Sequence, residues 1–430
     1  MAEVKPLKGL LYDGSRIGGD YACVMAPPYD VIPDSMREEL YGKSEYNVVR
    51  LILGKSFEGD TVADNKYTRA KLFLDRWRQE GVLKKDETGA FYVYLQEYNH
   101  GETRHRRVGF MGLMKLNPSG RDEVLPHEYT LKKPKEDRLN LMKEVKGNLS
   151  PVFVLYDDGD RQIKETLENG MSASEAVIDI CIDGIRHALW RVSDNPSLEK
   201  IVTGMSGRKT FIADGHHRYA VAGLYRDTEH EKKGSLPDAD YVMTYFTDLA
   251  EGDNLTVMAT HRVIKTMPVA GEDNISAGLS RYFNVTECDG LPGLMKRLED
   301  CAGKAHVFGF FGGTKYLFAE PKDEAALLGL VKENKSDVWK NLDVSVLHSA
   351  VFDGILSLGN IEGNITYVRD PETGEALVKD GSHAAAFFLN PTRVEQLKAV
   401  AELGEMMPQK STYFYPKLLT GLVMNVFQDT

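Results

Sequence analysis

The residues best placed to do chemistry are Asp214, Gly215, His216, His217 and Arg218, within the stretch Phe211-Ile212-Ala213-Asp214-Gly215-His216-His217-Arg218-Tyr219-Ala220-Val221-Ala222. Three apolar residues read as a buried strand, Asp214 and Gly215 break it, and His217 through Leu224 to Arg226 follow helical spacing. A strand that turns at once into a helix gathers unpaired backbone N–H groups and the positive end of a helix dipole at one point. That point suits an anion, most often a phosphate. His216, His217 and Arg218 add donors for phosphoryl oxygens, and Asp214 has the chemistry either to hold a metal or to take a proton. The blander reading is a strand-to-helix corner whose polar residues only cap the helix.

Other polar groups stand at element ends. Thr260, His261 and Arg262 follow a predicted strand over 255–259, where polar residues commonly line α/β sites, although an ordinary sheet edge would look the same. Lys410, Ser411 and Thr412 follow a helix stop at Gly404 and the barrier of Pro408; a lysine with two hydroxyls can bind a carboxylate or phosphate, or simply form a surface loop. The glycine spacing of a P-loop is absent there. His348 lies on a predicted helix over 344–356 and reads as a packed histidine.

The elements that must position these groups mix helices and strands. Residues 35–41 read as a short helix after Ala26-Pro27-Pro28-Tyr29-Asp30-Val31-Ile32-Pro33, and 47–53, rich in branched residues, as a buried strand. Tyr67, Ala70, Phe73, Leu74 and Trp77 share one face of a helix within 64–81, and their aromatic stripe reads as core. Residues 91–98 and 103–111 flank Asn99-His100-Gly101 as a β-hairpin. A loop carrying Pro126-His127-Glu128 precedes a helix over 135–145 and a strand over 152–156. Strands over 240–246, 306–311, 315–318 and 385–389 and a helix over 391–403 complete an α/β chain of mixed (α+β) sheets.

Length predicts two or three domains, and 42% hydrophobic with 27% charged residues is an ordinary globular mixture. The net charge of −11 argues against a protein whose main partner is nucleic acid. Cys23, Cys181, Cys288 and Cys301 stand far apart, which points to free thiols in a reducing compartment. With no signal-like amino terminus and no membrane-length apolar run, a cytoplasmic protein without a membrane partner is expected.

The order of a Pro-His-Glu loop, a helix, a Pro-led strand and a strand ending in Asp-Gly-His-His-Arg resembles the ParB/sulfiredoxin-like superfamily and, within it, the free serine kinases. That match runs from Arg121 to Arg262 and is interrupted by an insertion, 157–208. Nearly the whole chain also resembles a bacterial and archaeal family defined as a domain of unknown function, through Ala26 to Ile32, His127-Glu128-Tyr129-Thr130, the His-His-Arg corner and Met407-Pro408-Gln409-Lys410-Ser411-Thr412. The resemblance implies a ParB/sulfiredoxin-like core over 121–265 between an α/β region with a hairpin over 1–120 and a further α/β region over 266–430. It implies that Gly215, His216, His217 and Arg218 bind nucleotide phosphates, and that Glu128 acts on the acceptor hydroxyl with Asp214 and His217 as catalytic partners.

Under that reading His127, Thr130, His261, Arg262, Lys410, Ser411 and Thr412 contact substrate, and ATP or ADP with Mg2+, Asp214 being its candidate ligand, supplies the phosphoryl group. A positioned base such as Glu128 contributes roughly 100- to 10,000-fold toward ionising an alcohol. The implied activity is a small-molecule kinase acting on a hydroxylated metabolite, L-serine first among them. The rival is a non-catalytic nucleotide-binding switch, as in chromosome-partition proteins. Sulfinic acid repair needs a cysteine where His216 or His217 stands. The assembly state, a homo-oligomer included, stays open.

Overall fold

The structure, a computed structural model, describes residues 3–117, 124–130, 132–234, 236–249, 255–267, 272–359 and 363–427. Contacts divide the chain into two units: 1–126, 130–256 and 416–430 in the first, 127–129 and 257–415 in the second. The sequence region 1–120 and most of 121–265 thus fall in the first unit, where they share a sheet, while 127–129 and 257–265 fall in the second; the boundary at 120/121 lies outside the described residues.

The sheet of the first unit has nine strands: Val4–Lys5 (β1), Phe91–His100 (β2), Thr103–Lys115 (β3), Val124–Leu125 (β4), Val152–Tyr156 (β5), Ile178–Ile182 (β6), Ile185–Val192 (β7), Thr210–Asp214 (β8) and Tyr241–Asp248 (β9). Their order is β4-β8-β5-β9-β3-β2-β7-β6, with β1 beside β3. The β4–β8 and β5–β9 pairs are parallel and the others antiparallel. The hairpin predicted around Gly101 is β2–β3, and Gly101 takes φ 59° at its turn. The 157–208 segment supplies β6 and β7, with β7 paired along β2, and helices Gln162–Ala173 and Asn195–Met205, so it extends the sheet rather than looping out of it.

Residues of β2 alternate as a two-sided strand must. Phe91, Val93 and Leu95 join Ile163, Ile201 and Met205 in an apolar core. On alternate positions Tyr92 hydrogen-bonds Gly9, Tyr94 meets His187 and Gln96 meets Arg107. Two glycines of β3 are dictated by crowding: a Cβ at Gly109 would lie 2.2 Å from the Phe246 carbonyl oxygen, and one at Gly112 2.7 Å from the Phe91 ring.

The helices of this unit include Asp34–Lys43 (α1), Val49–Ile52 (α2), Lys66–Gln79 (α3), Lys132–Val145 (α4) and His216–Lys233 (α5). The strand predicted over 47–53 is instead the short helix α2. Asn47, fully buried, accepts from the Val49 amide at 2.9 Å and donates to the carbonyls of Cys23 and Met25, and this side-chain cap overrides the strand propensity of the branched residues. At α3 the capping box of Asn65 and Thr68 fixes the start, and Ala70, Leu74 and Trp77 are its buried face.

The second unit is built on six antiparallel strands: His261–Ile264 (β10), Phe283–Cys288 (β11), Phe308–Phe311 (β12), Tyr316–Pro321 (β13), Ile365–Val368 (β14) and Ala385–Phe388 (β15), ordered β11-β13-β12-β15-β10-β14. Ala385 and Phe387 face one core with Phe352 and Leu347, while Ala386 and Phe388 face another with Leu291, Leu294 and Leu298. The strand predicted over 255–259 is confined to Thr256–Val257, and His261 and Arg262 open β10. The helix predicted over 344–356 is a π-helix over Val346–Ile355, preceded by one α-turn. Among the described residues no helix is long and apolar enough to cross a membrane. All four cysteines are free thiols.

Candidate functional site

In the first unit, β8 delivers Asp214 to the start of α5, and Gly215 makes the turn at φ 89°, a left-handed conformation that favours glycine. The space is also reserved: a Cβ on Gly215 would lie 2.9 Å from Arg218 Nε, because Arg218 folds back over the turn. Its guanidinium donates to an Asp214 carboxylate oxygen and to the Pro151 carbonyl. The other Asp214 oxygen accepts from Lys417 Nζ at 2.5 Å. Asp214, Arg218 and Lys417 are 17%, 12% and 12% exposed, so the charges meet with little solvent between them.

Burial pushes the Asp214 pKa up, but the charges of Lys417 and Arg218, the Lys417 hydrogen bond and the charge of His216 outweigh it and hold the carboxyl well below its ordinary range. His216 is buried and His217 half-buried on the first turn. The corner therefore carries two cations on one carboxylate, two histidines and a helix start. In this arrangement Asp214 is an ionised clamp that sets the positions of Arg218 and Lys417.

A small, mostly apolar cleft adjoins the corner, with Arg218, Tyr29, Arg138, Asn148 and Ser150 among its walls. The Arg138 guanidinium stacks over Tyr29 at 4.0 Å, donates to the Ile52 carbonyl at 2.6 Å and pairs with Asp137. Asp137 also accepts from Lys66 Nζ at 2.6 Å and Tyr67 Oη at 2.8 Å. Burial raises its pKa, yet the Arg138 charge and the bonds from Lys66, Arg138 and Tyr67 bring it down to about 2. Arg138 is thus fixed from two sides, with its face on Tyr29 of the Pro-Pro-Tyr-Asp segment.

The second unit gathers a different subset of the predicted residues. His127 is fully buried, with Nε2 2.9 Å from Thr412 Oγ1, and its carbonyl accepts from the Met407 amide at 2.7 Å. Glu128 forms a parallel bridge with Met407. Arg262, 1% exposed, donates to His348 Nε2 at 3.2 Å, to the Thr260 carbonyl and to the Lys410 carbonyl at 3.2 Å. Burial pulls its pKa down to about 10 against the opposing charges of Tyr367 and Glu128. His348 accepts because burial and the Arg262 charge push its pKa down to about 3 and keep the ring neutral. Burial and Arg262 likewise hold His261 near 4, its Nδ1 3.4 Å from the Leu389 amide.

The predicted residues therefore sort by unit. Asp214 to Arg218 and Thr130 belong to the first; His127, Glu128, His261, Arg262, Lys410, Ser411 and Thr412 belong to the second. Ser411 is committed to its own loop, donating to the Pro408 carbonyl at 2.5 Å, and Lys410 is exposed at φ 56°. Among the described residues no group of three or more His, Cys, Asp or Glu side chains is arranged to hold a metal. Sequence reasoning missed Lys417, 203 positions from its partner Asp214, and the Tyr29–Arg138 stack. No spacing rule links such distant residues; only the Pro-Pro-Tyr-Asp segment carried a signal.

Among solved structures the chain is similar to a conserved hypothetical protein from Pyrococcus furiosus (16% identity, 73% of this chain and 94% of that one, TM-score 0.35). It is similar also to a free serine kinase in complex with AMP (15%, 73% and 90%, TM-score 0.35) and to SbnI with a C-terminal truncation from Staphylococcus aureus (11%, 73% and 86%, TM-score 0.36). Likeness at this level assigns neither ligand nor reaction. No curated protein matches the chain. Residues 4–345 match the profile of the family described as protein of unknown function (DUF1015), and the chain belongs to that family.

Proposed function

We propose that this protein is a kinase-type phosphotransferase that moves a phosphoryl group from ATP or ADP to the hydroxyl of a small metabolite, with L-serine the first acceptor to test. The observation that carries the reading is the corner at Asp214: Arg218 and Lys417 held on one ionised carboxylate at the start of α5, with His216 and His217 on the same turn. Phosphoryl transfer is mostly positioning and charge stabilisation, and such a corner supplies both for a nucleotide phosphate. In this reading 121–265 is a ParB/sulfiredoxin-like core, Mg2+ accompanies the nucleotide, Glu128 takes the proton of the acceptor hydroxyl, and the setting is the cytoplasm. Lys417 joins Gly215, His216, His217 and Arg218 as a residue of the phosphate site.

Phosphorus NMR of the protein with ATP or ADP, Mg2+ and a panel of hydroxylated metabolites including L-serine tests it. The expected result is a new phosphomonoester signal that disappears with Glu128→Gln while nucleotide binding persists. Nucleotide binding lost in Arg218→Met, without turnover of any acceptor by the native protein, would replace the kinase by a nucleotide-binding switch.

A further inference from the structure

A second cavity, of about 580 Å3, lies wholly within the second unit and shares no residue with the groups discussed so far. Its walls come from the turn at 302–306, the short helices around Glu324 and Asn341, and the start of helix Val394–Glu402. A volume of this size is that of an ordinary small-molecule pocket. What singles it out is the state of its charges.

His306 and Glu324 satisfy each other. The His306 amide and Nδ1 meet the two Glu324 oxygens at 3.0 and 2.7 Å, and Nε2 lies 3.2 Å from the Asn341 carbonyl. Two further charged groups face the cavity. Asp343, 24% exposed, has His306 Nε2 only at 3.9 Å, and among the described residues nothing hydrogen-bonds its carboxylate. Burial pushes its pKa up to about 6, with the charges of His306 and Arg393 pulling the other way. Arg393 lies over Gly303, with Nη1 3.2 Å from where a Cβ would be, so the absence of a side chain there leaves room for the guanidinium. Arg393 is exposed, and among the described residues no carboxylate forms an ion pair with it. The Arg393 charge acts on Asp343 without an ion pair between them.

A half-buried carboxylate that nothing hydrogen-bonds and an exposed guanidinium outside any ion pair, on the walls of one cavity, are complementary to a ligand carrying both charges. A simple anion would meet Arg393 and Lys304 and be repelled by Asp343 and Glu395; a simple cation would meet Asp343 and be repelled by Arg393 and Lys304. We infer that this cavity is a binding site for a small zwitterion of the α-amino acid class, its carboxylate on the Arg393 fork and its ammonium on Asp343. This inference is independent of the proposed phosphotransfer.

Titration calorimetry of the full chain with glycine, L-serine, L-glutamate and L-lysine, alongside inorganic phosphate and putrescine, tests it. At least one amino acid is expected to bind, and Arg393→Gln and Asp343→Asn are each expected to weaken it about tenfold or more, the loss of one charge-assisted contact. The His306 ring resonances of the unaltered protein are expected to shift on the same titration, a readout that needs no variant to fold. Absence of binding by all four amino acids overturns the inference, as does binding indifferent to both substitutions. So does Arg393-dependent binding of phosphate alone, or Asp343-dependent binding of putrescine alone.

Discussion

Replacing Asp214 by Asn tests whether the corner is an electrostatic clamp. Asn keeps the shape and one acceptor oxygen but removes the negative charge that Arg218 and Lys417, each 12% exposed, both meet. Removing one side of a buried charged pair costs about 3–5 kcal/mol. The double variant Asp214→Asn, Lys417→Met removes both sides of one of these pairs, so the two effects should fall short of additivity by on the order of 2 kcal/mol. Urea unfolding reports this if read from Trp77 and Trp190, which lie in the first unit, in a Trp339→Phe background that silences the second. The pH dependence has a fixed sign. The folded pKa of Asp214 lies below its unfolded value of 3.8, so its contribution is fully present above that value and is lost as pH falls from it through the folded pKa. The gap between native protein and Asp214→Asn should therefore be flat near neutrality and shrink below pH 3.8. Additivity within about 0.5 kcal/mol would refute the clamp.

Gly215→Ala should cost about 1–2 kcal/mol from the left-handed backbone alone and displace Arg218, so nucleotide affinity should fall with stability; unchanged nucleotide binding would remove Arg218 from the site. Gly109→Ala should prevent folding of the first unit, since the new methyl meets the backbone oxygen of Phe246, and a soluble variant with native circular dichroism would contradict that packing. Burial and the Arg107 charge hold the His187 pKa down to about 3, so the stability its neutral ring lends is present above the unfolded value of 6.5 and lost as pH falls below it. Between pH 6 and 5 His187 should contribute a slope approaching about 1.4 kcal/mol per pH unit, absent in His187→Asn. An identical slope in that variant would place the titration elsewhere.

Elements with a strong local rule were legible in the sequence. The α3 face, the β2–β3 hairpin and the β8-Gly215-α5 corner each follow from side-chain periodicity or from one residue with special backbone freedom, and all three stand where the residues put them. One misreading arose where a long-range side-chain contact outweighed a local preference. At 47–53 the branched residues favour a strand, but one buried Asn ties the segment to the carbonyls of Cys23 and Met25. The π-helix at 346–355 was equally hidden, because its one-residue register change leaves the apolar spacing looking helical.

The chemistry of the corner was legible in kind but not in its balance of charge. Sequence gave Asp214 the choice of metal ligand or base, since a lone acid beside histidines suits either. Lys417, arriving from the carboxy-terminal stretch, changes the question, because each carboxylate oxygen now has its own cation. An acid ionised so firmly is a poor proton acceptor at neutral pH, and it serves better by keeping Arg218 and Lys417 poised. In the proposed reaction the base is then a group other than Asp214, and Glu128 is the one that reading assigns. If Glu128 is that base, Arg262 is a charge that acts with it, and Arg262→Met, which removes that charge, should lower turnover while leaving nucleotide affinity intact. Unchanged turnover would take Arg262 out of the reaction and leave it the task its hydrogen bonds already describe, holding the 409–412 loop against β10.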